Sequence, residues 1–300
     1  MSFLSSLRES TGPEVAVEIA SGHVSAARLE MRGDQPAVSA HASEPLPPGA
    51  LVPSLTAANV HDRAAIEAIL GRVLDRLGRP RRIGLVVPDV IAKVSILRFE
   101  KVPPRMQDLD QLVRWQVRKT APFPIEEGQV TYVPGIVAPD GQDFIVSVAR
   151  RAVIEEYEGL CAAAGAHAGI VDLATFNVIN AVIAGTRAPA GDWLLVNVAA
   201  DFASIAIVRG ADLIFFRNRG GEGDGTLADL VHQTAMYYED RLSGGGFTRV
   251  ILAGGGQTPT EMEDIRRSLA GRLSTGVESL DPRSAAPLVG LLMRGREAAA

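Results

Sequence analysis

The 300-residue sequence contains a single cysteine, Cys161, which excludes an intrachain disulfide. A lone free thiol fits a reducing compartment. It stands in "YEGLCAAAG", on the apolar side of an expected helix, where a small buried hydrophobe is its ordinary role. Long apolar runs are also missing. None reaches the roughly 18 residues of a spanning helix, and "MSFLSSLRES" has too short an apolar core for a secretory signal. A soluble chain with no membrane span of its own is expected. Aromatics make up only 5% of the residues, and 30 Lys plus Arg against 35 Asp plus Glu leave a net charge of −5. No basic field exists to attract nucleic acid, so no nucleic-acid partner is expected. The small cluster "GRPRR" (78–82) reads as a solvated helix end, because stable membrane anchoring needs a second signal. The five histidines, His23, His41, His61, His167 and His232, are scattered without metal-ligand spacing, so no metal is expected. Nucleophile-elbow and Walker motifs are absent. "GGEGDG" (220–225) has a calcium loop's composition but not its spaced ligands, and reads as a connector.

The chain itself is 47% hydrophobic, and a length of this order buries roughly 75% of the unfolded surface. Strands are expected at 15–19, 24–29 and 37–40, followed by a Pro-rich connector, "ASEPLPPGALVP" (42–53). Ile66, Ile69, Leu70, Val73 and Leu77 recur at helical spacing until Gly78 and Pro80 stop the helix. Strands at 83–87 and 90–99 are parted by "PD". A helix over 106–119 is cut off by Pro122 and Pro124. Strands at 129–137 and 144–149 lead into helix 152–164, strand 170–173 and helix 176–183. Three strands at 194–198, 204–208 and 213–216 follow. Helix 226–242, strand 250–253, a helix near 261–269, a strand near 277–280 and the apolar helix "AAPLVGLLMRG" complete the chain. The alternation makes the fold class α/β.

The sequence also echoes itself. "VEIASGHVSAAR" (17–28) aligns with "VNVAADFASIAI" (196–207) at a constant offset of 179, matching Glu18 to Asn197, Ala20 to Ala199 and Ser25 to Ser204. Two readings stand: a duplicated unit, or two unrelated hairpins sharing only alternation.

Two such hairpins, followed by "RVILAGGGQ", resemble the actin-like ATPase superfamily. Within it the chain is similar to the PilM family of type IV pilus assembly, relatives of the division protein FtsA. Further stretches carry the likeness: "QVRKTAPFPIEEGQVTYV", "VSVARRAVIEEYEGLCAAAGAHAGIVDLATFNVINAV" and the closing "APLVGLLMRG". The resemblance implies an actin-like, duplicated ribonuclease-H-like, two-domain fold. After an N-terminal extension (1–13), the first domain would combine 14–80 with 165–188. An inserted subdomain would span 81–164, and the second domain 189–300. The second domain would lack most of its outer subdomain, since 217–248 holds little more than one helix.

The resemblance also implies a nucleotide cleft lined by Glu18, Ser21, Gly22, His23, Asn197, Asp201, Ser204, Gly254, Gly255 and Gly256. Here the chain departs from the family pattern. Working sites place Asp-x-Gly in both hairpins, the Asp holding magnesium and the Gly admitting phosphate to the backbone. This chain has Glu18-Ile19-Ala20 and Asn197-Val198-Ala199. Glu displaces its carboxylate by a methylene, Asn removes the charge, and either Ala is strained if its position needs φ > 0. No resident cofactor and no significant hydrolysis are expected, with at most weak binding of ATP and magnesium. The alternatives are an active ATPase of the same machinery, or the cytoplasmic component of a type II secretion platform. That platform component continues into a spanning helix, and this sequence has none by Ala300. The implied partner is the N-terminal tail of a PilN-like inner-membrane protein, within the pilus motor and platform complex. The tail would hold the chain peripherally at the cytoplasmic face of the inner membrane. Candidates for its groove are Val90, Val94, Ile96, Phe99, Phe123, Pro124 and Ile125. For "RWQVRK" with "PFPI", a partner surface and a packed turn both remain open readings.

Overall fold

The computed structural model describes residues 12–32, 35–185, 191–220, 226–255, 257–273, 275–281 and 284–297. Most of the N-terminal extension and of the 220–225 connector therefore lies outside the described residues. Along β1 (Val15–Ala20), Val15, Val17 and Ile19 alternate with Ala16 and Glu18, and the two sets point to opposite sheet faces. The branched set enters a core with Ile66, Leu70 and Val73 of α1 (Arg63–Arg76) and Tyr157 and Leu160 of α3 (Arg151–Ala163). Ala16 faces the other way, with Ala27 and Val86, against Leu288, Leu291 and Leu292 of α7 (Ala286–Glu297). β1 pairs antiparallel with β2 (His23–Arg32), and β2 with β3 (Gln35–Pro45). On its other side β1 runs parallel to β4 (Arg82–Val87), which pairs with β8 (His167–Leu173). β3 continues through Pro45, further than expected, because an edge strand tolerates a terminal proline.

The second half repeats this plan. β9 (Asp192–Val198), β10 (Phe202–Arg209), β11 (Asp212–Gly220), β12 (Arg249–Gly254) and β13 (Val277–Ser279) form a sheet of order β11-β10-β9-β12-β13. The first sheet, β3-β2-β1-β4-β8, has the same order with the same parallel and antiparallel neighbours. Glu18 stands opposite Ser25, and Asn197 opposite Ser204. The offset of 179 thus holds in register as well as in letters, which favours duplication. Leu194, Val196 and Val198 pack with Leu230 and Val231 of α5 (Leu227–Arg241) and Leu269 of α6 (Pro259–Leu273). Among the described residues α5 is the only helix between β11 and β12.

Two boundaries differ from the expected domains. β4 belongs to the first sheet and α3 packs into that sheet's core. The insert is therefore confined to β5 (Ala92–Phe99), α2 (Met106–Arg118), β6 (Gly128–Ala138) and β7 (Gly141–Arg150), not 81–164. It has its own core around Val113, Val117, Phe144 and Val146. The two linking helices also cross over. α4 (Ala174–Gly185), expected with the first half, buries Val178, Ile179 and Val182 on the second sheet beside Trp193 and Leu195. α7, expected with the second half, lies on the first sheet. An amphipathic helix needs a partner face, and its sequence does not say which sheet supplies it.

α4 and α7 touch through Gly290, where an added Cβ would stand 1.7 Å from the Asn177 carbonyl oxygen. Gly290→Ala should therefore destabilise the protein by at least about 3 kcal/mol in urea unfolding, as severe overpacking. Gly271→Ala in α6, where an added Cβ meets nothing within 4 Å, should instead be neutral or stabilising by up to about 1 kcal/mol.

Candidate functional site

The tips of the two repeated hairpins border a cleft of about 200 Å³. Glu18, Ser21, Gly22 and His23 line it from the first half, Asn197 and Asp201 from the second, and Gly254 and Gly255 from the end of β12. The structure brings these expected residues together. Ser204 is fully buried and does not line the cleft, and Gly256 lies outside the described residues. His41, Ser43, Asp281 and Ala285 also line the cleft. Sequence reasoning missed them, because edge and turn residues carry no periodic signal.

Several polar groups of the cleft are already engaged. Ser25 Oγ donates to Glu18 Oε2 at 3.3 Å, and His23 Nε2 lies 3.5 Å from the same oxygen. The Glu18 carboxylate holds the His23 imidazole above its ordinary pKa, against a burial that would lower it. Asn197 Nδ2 donates to Thr175 Oγ1 at 2.8 Å. Asp201 Oδ2 is buried without a hydrogen-bond partner. Burial raises that carboxyl, and Ser21 of the facing hairpin offsets part of the rise. The backbone is occupied too, with Ala199 N donating to Phe202 O at 2.8 Å and Gly255 N to Val198 O at 3.1 Å. Gly254 is needed for packing, since an added Cβ would meet the Val198 carbonyl oxygen at 2.5 Å.

One expectation is corrected. Neither Ala20 nor Ala199 is among the non-glycine residues with positive φ, which are Arg79, Ser243 and Ala285 among the described residues. Both alanines sit in unstrained hairpin backbone. Their only obstruction is the volume of a methyl group. A cleft of about 200 Å³ also falls below the roughly 300–1,000 Å³ of small-molecule sites. Among the described residues no group of three or more His, Cys, Asp or Glu is placed to hold a metal ion.

Next to the cleft lies a residue that sequence reasoning missed. Asp89 is fully buried in a 3-10 turn, Asp89–Ile91, between β4 and β5. Its carboxylate accepts from Thr175 N at 3.0 Å, from Ser204 Oγ at 2.5 Å and from Thr175 Oγ1. Asn218 Nδ2 donates to the Asp89 carbonyl at 2.9 Å. The Thr175 N–H belongs to the first turn of α4, so the carboxylate also meets the positive end of a helix. The available signal is an acid inside an otherwise apolar run, "LVVPDVIAKV", since charged residues are almost never fully buried unpaired.

A second concavity, of about 480 Å³, lies between the insert and the first sheet. β6 and β8 border it, each the last strand of its sheet. Phe176, Ile179 and Ile183 of α4 also line it. None of the expected groove residues is there. Val90 packs near α7 and Val94 against the first core. Phe99, Phe123 and Ile125 belong to the core of the insert. Ile96 is half-buried on β5 and Pro124 is exposed outside the groove. The order β5-β7-β6 accounts for the difference, because β6 and β7 border the groove in space and β5 reaches it only at Ala92.

Burial pushes the Asp89 carboxyl up to about 6 from 3.8, with Ser204 and Thr175 pulling it back and Asp172 adding to the rise. The folded state therefore holds this proton more firmly than the unfolded state. The resulting stability is complete below about pH 4 and is lost as pH rises through about 6. The unfolding temperature of the wild type minus that of Asp89→Asn should be greatest near pH 4. It should fall by the equivalent of ~3 kcal/mol by about pH 7. A difference that stays flat over this range would contradict a buried, ionisable Asp89.

Residues 16–243 match the sequence profile of the family described as type IV pilus assembly protein PilM. Among solved structures, a chain of a PilM–PilN type IV pilus biogenesis complex superposes with a TM-score of 0.80 at 18% identity, covering 95% of this chain and 99% of that one. A Bacteroides thetaiotaomicron protein with an actin-like ATPase fold gives 0.53 at 11% identity, covering 99% of both chains. The cytoplasmic domain of EpsL, an inner-membrane component of the Vibrio cholerae type II secretion system, gives 0.51 at 10%, covering 95% of this chain and 94% of that one. At these identities the structures establish an actin-like fold, and the profile, which spans well over half of the sequence, establishes the family: the chain belongs to the PilM family of type IV pilus assembly proteins.

Proposed function

We propose that the chain is a non-hydrolysing scaffold of type IV pilus assembly, and that its groove grips the extended N-terminal tail of a PilN-like inner-membrane protein. The groove carries this reading. Two unpaired strand edges, β6 and β8, border one largely apolar channel. Strand addition supplies main-chain hydrogen bonds, and pockets for alternate side chains supply specificity. The solved structure with the TM-score of 0.80 is itself a PilM–PilN complex, which supports such a pairing. No helix among the described residues is long and apolar enough to cross a membrane. The partner's tail would thus hold the chain at the cytoplasmic face and link it to the pilus motor and platform. The engaged polar groups of the cleft argue against the ATPase reading.

A labelled peptide of the cognate tail should bind the full chain, while a scrambled peptide should not. Val133, 44% exposed at the groove, can be changed without loss of core packing. Val133→Asp should weaken the tail at least tenfold, about 1.4 kcal/mol, with the unfolding temperature unchanged. Equal retention of tail and scrambled peptides would remove the proposal. By titration calorimetry Mg-ATP should bind no tighter than about millimolar, about −4 kcal/mol, with phosphate release over hours at background. Micromolar affinity would reverse the non-hydrolysing half of the reading.

A further inference from the structure

The two halves share a register but use their matching serines differently. In the first hairpin Ser25 donates to Glu18, its own cross-strand partner. In the second hairpin Ser204 turns away from Asn197, its cross-strand partner, and donates to Asp89 of the first half. Thr175, at the start of α4, donates its backbone N–H and its hydroxyl to the same carboxylate, and accepts from Asn197. Asn218 on β11 donates to the Asp89 carbonyl. The turn after β4, the start of α4 and three strands of the second sheet thus meet in one network. Asp89, Thr175 and Ser204 are fully buried and Asn197 is 6% exposed. With Asp89 ionised, both hydroxyl protons point to the carboxylate. No fully buried side-chain atom of the network is left without a partner.

We infer that this buried strut does for the two halves what a bound ligand does in a hinge-closing protein: it holds them closed, here through the protein's own side chains. Opening the cleft separates Asp89 from Ser204 and Asn218 together. Removing one donor leaves a carboxylate buried and underpaired, and opening then relieves it, because water can solvate the charge. The second hairpin, whose polar residue Asn197 would face a ligand in an open cleft, has become part of the closure. The inference stands on the strut alone and not on what fills the groove.

The test is a distance measurement between spin labels on the full chain, at Ala58→Cys in the first half and Ser268→Cys in the second, both exposed positions. Cys161 is buried, with its thiol pushed up to about 12, and should stay unlabelled. The otherwise unmodified chain should show one narrow distance distribution, unchanged by millimolar Mg-ATP. Ser204→Ala should broaden the distribution and shift it to longer distances, while Ser204→Thr should keep it narrow. Ser25→Ala, the matching position of the first hairpin, should leave it unaltered. Because Ser204→Ala removes one hydroxyl and leaves two donors on Asp89, it remains informative even if Asp89→Asn fails to fold. A Ser204→Ala distribution that coincides with the parent's would overturn the inference. So would a parent distribution that is broad until Mg-ATP narrows it. No peptide is present, so this failure and the failure of the scaffold reading are distinguishable.

Discussion

The contact between α4 and α7 sets the position of nearly everything else. Gly290 lies against the backbone of Asn177 with no room for a methyl group, so the two helices pack as one layer between two sheets. α7 covers the inner face of the first sheet and α4 that of the second. Because each half is closed by the other's helix, neither has a complete core alone. α4 also divides the cleft from the groove. Ala174 and Val178 line the cleft, while Phe176, Ile179 and Ile183 line the groove.

The two halves share one strand order but use their matching polar positions differently. Glu18 keeps a charge, compensated by His23 within its own hairpin. Asn197 and Ser204 direct their polar groups to Thr175 and Asp89. The apolar positions tell the opposite story. Val15, Val17 and Ile19 have counterparts in Leu194, Val196 and Val198, each set buried under its own helices. Packing has preserved the sheet faces while the chemistry between them was reassigned.

Much of this was legible in the sequence wherever the determinant is local. Period-two alternation marks β1 and β9, and the spacing of Ile66, Ile69, Leu70 and Val73 marks α1 with the same residues buried. The offset of 179 anticipates matched registers. The residues lining the cleft follow from the two hairpins and the glycine run after β12. What stayed hidden depends on distant partners. Asp89 is satisfied by Thr175 and Ser204, which lie 86 and 115 positions away. Locally "PD" is only a turn signature. The side on which α4 and α7 pack was invisible for the same reason. The lining of the groove was hidden as well, because sheet order and not chain adjacency brings β6, β7 and β8 beside it.

The open edges of β6 and β8 have one more consequence. Each is the last strand of its sheet beside a largely apolar channel, and such edges are templates for pairing with any extended chain, including another copy. Natural sheets usually blunt their edges with charge, and here Asp172 on β8 and Pro134 on β6 are the residues of that kind along the channel. A copy whose channel stands open leaves these two edges uncovered, so anything that pairs with them would also suppress edge-to-edge association between copies.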